Sequence, residues 1–334
     1  MNKTFNVALI GCGTISTNHL NALTKLENVR VVALCDLKPE KAEAKLAQFG
    51  IDAKIYTDYD LLLEKEDLDA VHIATPHYLH CEMTLKALKK NINVFLEKPT
   101  CISNEELDML IAAEKESSAS VCVCFQNRFN PSTALVEKLI EEDGGAKSAF
   151  GTVFWYRSEK YYTESGWRGQ PETEGGGVMI NQAIHTLDLL TRFVGTPESV
   201  IATKANHHLK GIINVEDSCE GIIKFTDGKR ANFYVTTSFE GKDCTTLTVV
   251  TNKKRLVMIM NSKVYVNGEP VAIPESATAY VGKEVYGNGH VHLIAKFYEA
   301  LMSGDEMPVT LENSQYALRI LLAAYKSNDN EILI

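Results

Sequence analysis

The chain lacks any apolar run long enough to cross a bilayer, so a membrane span is not expected. It also lacks a basic run. Its 34 Lys and Arg stand against 43 Asp and Glu, a formal net charge of -9, which argues against nucleic acid or an anionic membrane as partner. The early apolar stretch Val7-Ala8-Leu9-Ile10 is ended by Gly11, too short for the core of a signal peptide, and reads as a first strand. Eight cysteines are scattered through apolar segments without a CxxC pair or the spacing of a zinc site. That usage fits reduced, buried thiols in a cytoplasmic protein and no metal centre. His207-His208 and His290 with His292 likewise lack carboxylate or cysteine companions at metal-site spacing and read as surface or capping histidines.

What is present suggests two domains of an ordinary globular protein: 334 residues, 45% hydrophobic and 23% charged. Asn6 to Ile10 reads as a strand running into Gly11-Cys12-Gly13-Thr14-Ile15-Ser16 and then a helix. Val29 to Cys35 is a second strand ending in Asp36. Strand, G-x-G-x-x-S, helix, strand, acid is the order that dinucleotide binding requires. Gly11 makes the tight turn and Gly13 lets the backbone approach a pyrophosphate. The helix N-terminus supplies N–H donors, and the acid binds ribose hydroxyls. A carboxylate at Asp36 would repel a 2′-phosphate, which favours NAD over NADP.

Strands and helices then alternate to Phe125, predicting a doubly wound parallel sheet. Ligands in such sheets sit beyond the carboxyl ends of the strands. Asp36, Thr75, His77, Glu97, Lys98, Gln126 and Asn127 occupy those ends. Lys98 stands between an apolar strand and Pro99. A solvated lysine is the ordinary reading, but a Glu-Lys-Pro turn at the ligand end of a central strand favours a functional one.

After Asn130 the rhythm changes. A helix over Pro131 to Glu142 is followed by runs rich in Val, Thr and aromatics, with hairpin signals at Asp227-Gly228 and Asn267-Gly268. This predicts a large, mainly antiparallel open sheet with helices on one face, closed by helices over 290–303 and 314–327. The expected division is 1–126 and 127–334, and a sheet face left uncovered predicts self-association. Within this half, Gly175-Gly176-Gly177 opens a helix in which Ile180, Ile184 and Leu187 fall at core spacing. Asn181, His185 and Asp188 form a polar stripe beside them. The glycines would let the backbone come close to whatever fills a cleft there. The preceding stretch, Tyr156-Arg157 through Trp167-Arg168-Gly169, reads equally as a flap over a polar ligand or as a surface loop anchored by a buried Trp. Arg128, Arg157 and Arg168 are either anion ligands or ordinary surface charges.

Gly11-x-Gly13-x-x-Ser16, Ala74-Thr75-Pro76, Glu97-Lys98-Pro99 and Gly175-Gly176-Gly177…Asn181…His185…Asp188, in order over nearly the whole chain, resemble the Gfo/Idh/MocA family of glucose–fructose oxidoreductase and inositol dehydrogenase. Trp167-Arg168 and Pro308-Val309-Thr310 fit it as well. The resemblance implies an N-terminal Rossmann domain, a C-terminal α/β domain with an open sheet, a nicotinamide cofactor, and homodimers or homotetramers formed through that sheet. It implies interconversion of a secondary alcohol and a ketone on a sugar, cyclitol or sugar derivative. It places cofactor contacts at Gly11, Cys12, Gly13, Thr14, Ile15 and Asp36, and at Thr75, Pro76, His80, Glu97, Lys98 and Gln126. It places substrate contacts at Trp167, Arg168, Asn181 and His185. Lys98 and His185 match its catalytic lysine and histidine, and either serves as immediate proton acceptor. Many members carry Asp where this chain has Asn181, so inositol dehydrogenase itself is a less secure assignment. Two rival readings remain: an NAD-dependent glycoside hydrolase working by transient oxidation, and a non-catalytic NAD-responsive binding protein.

Overall fold

The computed structural model describes residues 3–273 and 287–334. It divides into two compact units, Met1–Gln126 with Gly289–Asn313, and Asn127–Asn288 with Ser314–Ile334. The expected boundary after Gln126 coincides with the first break. Residues 289–313, expected from the sequence in the second domain, group with the first unit. Their helix α9 (Gly289–Ser303) packs against α1 (Ser16–Leu23), and the N–H of Val123 donates to the carbonyl of Val309.

The first unit holds six parallel strands: β1 (Phe5–Ile10), β2 (Val29–Cys35), β3 (Lys54–Tyr56), β4 (Ala70–Ile73), β5 (Asn93–Leu96) and β6 (Val121–Val123). Their order is β3-β2-β1-β4-β5-β6. Val7 to Leu9, Val94 to Leu96 and Val121 to Val123 are fully buried, as strands covered on both faces must be. The helices begin and end on local signals. Pro39 opens α2 (Pro39–Phe49) and Gly50 closes it in the left-handed conformation. Asp58 accepts from the N–H of Leu61 to cap α3 (Tyr59–Lys65). Ser103 accepts from the N–H of Glu106 to cap α5 (Asn104–Glu116). The strand order reverses beside β1, so the ends of β1 and β4 form the switch point where such sheets bind ligands.

The second unit is built on nine strands: β7 (Ala146–Phe154), β8 (Pro197–Ala205), β9 (Ser218–Phe225), β10 (Arg230–Thr236), β11 (Cys244–Thr251), β12 (Leu256–Met260), β13 (Lys263–Val266), β14 (Glu269–Val271) and β15 (Ile332–Leu333). Their order is β14-β13-β12-β11-β7-β10-β9-β8-β15; only β7 and β10 pair in parallel, and the rest are antiparallel. Both hairpin signals are turns. Asn267 and Gly268 have positive φ, as a type I′ turn requires. One helix, α8 (Ile184–Val194), lies on β7. Among the described residues no helix is long and apolar enough to cross a membrane.

Candidate active site

Gly11 and Gly13 have different jobs. Gly11 has φ +92°, and a Cβ there would lie 2.5 Å from the carbonyl oxygen of Ala74, so this glycine lets the loop pass over the end of β4. A Cβ on Gly13 would meet nothing within 4 Å. That open ground beside the N-terminus of α1 is the cradle a pyrophosphate needs. Ser16 is fully buried and donates to the carbonyl of Gly13 at 2.5 Å. Asp36 ties the cradle to β2: its Oδ2 accepts from the N–H of Cys12 at 2.8 Å and its Oδ1 from the N–H of Lys38 at 2.9 Å. Both oxygens keep lone pairs for ribose hydroxyls. Burial, reinforced by Asp36, pushes the Cys12 thiol up to about 12, which makes it inert packing. The residues present therefore fit a dinucleotide.

At the end of β4, Thr75 donates to the sulfur of Met83 at 3.6 Å, and Pro76 leads into a tight turn over His77–Leu79. His80 is wholly buried. Its Nδ1 lies 2.6 Å from the carbonyl of Pro99 and its Nε2 2.9 Å from that of Thr75. Burial holds its pKa below the usual value, so a neutral ring donates to one carbonyl at a time. His80 thereby joins the end of β4 to the Lys98-Pro99 turn, whose peptide bond is cis. Lys98 is half-buried, and Gln126 is buried with its Oε1 3.9 Å from the Cys124 sulfur.

Glu97, expected among the cofactor contacts, has its carboxylate turned into the fold. Oε1 lies 3.0 Å from Nε2 of His19 and 3.7 Å from Nε2 of His290, and Oε2 accepts the N–H of Lys98 at 3.3 Å. Burial pushes this carboxyl up, but His19 and His290 outweigh it and hold it well below the usual range. His290, read from its sequence context as a surface or capping histidine, is buried in the first turn of α9. Glu97, Cys124 and His290 bring their ligand-type atoms within 4.8 Å of one another. Burial and Glu97 hold the Cys124 thiol well above its usual value, so beside the carboxylate it stays protonated and the group is a hydrogen-bonded hub. Sequence spacing hid the hub, because its members, His19, Glu97, Cys124 and His290, lie on α1, at the ends of β5 and β6, and on α9.

In the second unit the three residues of the polar stripe meet different partners. Residues Met179–Ala183 form one π-turn that leads into α8. Asn181 donates to Glu174 at 2.5 Å. His185 lines a small concavity with Asn127, Thr133, Thr245 and Asn261. Asp188 pairs with Arg128, whose Nε and Nη2 donate to its two oxygens at 2.8 and 2.6 Å, both residues being buried. Arg128 is thus a structural cation, not a surface charge. The glycines preceding the stripe serve the fold itself. A Cβ on Gly176 would strike the hydroxyl of Tyr325, and one on Gly177 would strike the carbonyl oxygen of Glu216. Glu216 caps this turn, accepting from the N–H groups of Gly177 and Met179 and from the Tyr325 hydroxyl at 2.9–3.0 Å.

The Tyr156–Gly169 stretch contains a short helix, α7 (Glu159–Thr163). Trp167 is only half-buried. The guanidinium of Arg168 lies 4.5 Å from the ring centres of both Tyr161 and Trp167, and that of Arg157 lies 4.7 Å from Trp155. The buried tryptophan of this region is Trp155.

Glu174 is a titratable group the sequence did not point to. Burial raises its carboxyl from 4.5 to about 7, against the donations of Gly169 and Asn181. The folded state then holds a proton that the unfolded state releases between those two values. The stability it contributes is complete below pH 4.5 and is lost as pH rises through about 7. Glu174→Gln is expected to remove this loss, about 3 kcal/mol at most, and so to flatten the pH dependence of the urea midpoint. Equal slopes for the two proteins between pH 5 and about 8 would show that Glu174 titrates normally.

Comparison with known proteins decides the lineage. The family model described as "Oxidoreductase family, NAD-binding Rossmann fold" matches residues 5–125, and the GFO/IDH/MocA C-terminal domain model matches residues 141–257. The chain belongs to the Gfo/Idh/MocA oxidoreductase family. Its first unit carries the NAD-binding Rossmann fold of that family. An oxidoreductase of Formosa agariphila is 30% identical over 60% of this chain and 64% of its own length. The 2,7-anhydro-N-acetylneuraminate hydratase of Mediterraneibacter gnavus is 28% identical over 69% of this chain and 60% of its own length. The chain thus spans about six-tenths of the length of these two curated relatives. The WlbA dehydrogenase of Bordetella pertussis, solved with NADH and UDP-GlcNAcA, superimposes with a TM-score of 0.85. It is 27% identical, and the match covers 99% of both chains.

Proposed function

We propose that the protein is an NAD-dependent dehydrogenase or reductase that interconverts a secondary alcohol and a ketone on a sugar, cyclitol or sugar derivative. One observation carries the reading: a dinucleotide cradle at Gly13 and a Glu-Lys-Pro turn stand at the same end of one parallel sheet. When bound, the nicotinamide supplies a hydride acceptor or donor. The chain supplies proton chemistry. Lys98, as an ammonium, stabilises the alkoxide charge that develops on the substrate oxygen. His185 takes the hydroxyl proton, since imidazole titrates near neutral pH. The exchange of these two roles is compatible with the same residues. Asn181, held by Glu174, offers its amide oxygen to a neighbouring hydroxyl or to His185, and Arg168 and Trp167 complete the substrate contacts.

NAD or NADP reduction against a panel of cyclitols, free hexoses, sugar acids and nucleotide sugars tests this reading. Turnover with one class is expected, with NAD preferred. Silence across the panel with NAD bound would overturn it. Asp36→Ala is expected to raise KM for NAD by about tenfold, the effect of roughly 1.4 kcal/mol, and to narrow the preference over NADP. Equal use of both cofactors by the unaltered protein would remove Asp36 from its role.

A relative named a hydratase, not a dehydrogenase, keeps a second reading in place for this chain: hydrolysis of a glycoside by transient oxidation on a retained NAD, with no net reduction. Conversion of a glycoside or anhydro sugar without a change in nicotinamide absorbance would favour it. Self-association belongs to the first reading. Phe150 and Ile222, both opposite Asn232, are exposed on one face of the nine-stranded sheet, and sedimentation would detect a dimer or tetramer formed there.

A further inference from the structure

Inside the first unit a hydrogen-bonded chain crosses from α9 to the Lys98 turn. The Tyr298 hydroxyl lies 2.8 Å from Nε2 of His72, and Nδ1 of His72 lies 2.8 Å from Nδ1 of His19. Nε2 of His19 lies 3.0 Å from Oε1 of Glu97. His19, His72 and Tyr298 are at most 1% exposed. Donor and acceptor roles follow from chemistry. An ionised carboxylate only accepts, so His19 donates from Nε2. A neutral ring protonated there accepts at Nδ1, so His72 donates from Nδ1. His72 then accepts at Nε2, and Tyr298 donates. The chain therefore has one direction, Tyr298 to His72 to His19 to Glu97. It ends on the carboxylate whose other oxygen holds the backbone N–H of Lys98.

We propose that this directed chain is the positioning device of the Lys98 turn: it fixes the ionised Glu97 carboxylate, and through it the backbone from which Lys98 projects. His19, His72 and Tyr298 are positioning residues. The inference rests on the reading of Lys98 as catalytic. Besides this chain and Lys98, the titratable groups facing Glu97 are His290, the Cys124 thiol and, more distantly, His80. Burial, with His19 beside it, holds the pKa of His72 far below the usual value, so the middle of the chain stays neutral. Protonation of His19 would reverse every donor up to Tyr298, which is why the tautomers report the state of the chain.

The test is long-range proton–nitrogen NMR of the full chain with labelled histidine, with His19 and His72 assigned from His19→Gln and His72→Gln. The expected result at neutral pH is a proton on Nε2 of His19 and on Nδ1 of His72. A neutral His19 carrying its proton on Nδ1, or a His72 carrying its proton on Nε2, would overturn the proposal. Glu97→Gln offers an amide donor where the carboxylate accepted. It should reverse the His19 tautomer and lower kcat by about 10²-fold with NAD affinity and thermal midpoint kept. A reversed tautomer with unchanged kcat would also overturn the proposal. Tyr298→Phe, which removes one hydroxyl, should leave both tautomers in place, because Glu97 sets them; their loss would show that the direction comes from the other end. If the wild-type protein shows the expected tautomers but no turnover on any substrate, the dehydrogenase reading fails and the chain stands.

Discussion

Lys98→Met is expected to lower kcat by about 10³-fold or more while leaving NAD affinity within about twofold, because it deletes proton handling and alkoxide stabilisation together. Methionine keeps most of the side chain's length and apolar contact, so the change removes an ammonium and little else. The surroundings suit such a test. The turn is held from two sides, by His80 at the Pro99 carbonyl and by Glu97 at the Lys98 N–H, and neither contact involves the Lys98 side chain. The cradle at Gly13 and the carboxylate of Asp36 lie on other strand ends, so binding is read independently by nicotinamide fluorescence. His185→Gln should cost about 10²-fold in kcat and flatten the limb of the pH profile that reports the base. Turnover unchanged in Lys98→Met would refute the assignment of Lys98, whatever His185 does.

Where the sequence was legible, the signals were local. The βα alternation of the first unit, the capping residues Asp58 and Ser103, and the turns at Asp227-Gly228 and Asn267-Gly268 are each set by residues a few positions apart. The short strands β3, β14 and β15, of three residues or fewer, carry too few side chains to show a period. The site was legible at its loops and less so in its supports. The spacing of Asn181, His185 and Asp188 assumes about 3.6 residues per turn, and the π-turn at Met179–Ala183 is a local departure that the spacing does not announce. The glycines before it suggested room for a ligand, and the room is taken by Tyr325 and Glu216, residues far along the chain. His290 could not be paired with Glu97 by spacing, because 193 positions separate them. Burial and long-range partnership are properties of packing, and no window of sequence contains them.

Asp188 provides the second large expected effect, on stability. The residue is 1% exposed and its carboxylate is held by both nitrogens of a fork from Arg128, itself 7% exposed. Arg128→Met would leave a buried carboxylate without its cation, at a cost of about 3–5 kcal/mol. The urea midpoint of the second unit should fall accordingly, with NAD binding to the first unit kept. The size of the loss does not measure what the pair contributes, because most of it is the penalty of the abandoned charge. Arg128→Met with Asp188→Leu separates the two quantities: removing both charges should restore most of the lost stability, since apolar residues of similar volume can replace a buried pair at little cost. A double variant no more stable than Arg128→Met would mean that the cost lies in packing and not in charge. The same variant also separates support from chemistry. If Asp188 only anchors α8 beneath His185, a restored fold restores turnover; a stable but inactive double variant would return Asp188 to the polar stripe in which its sequence spacing first placed it.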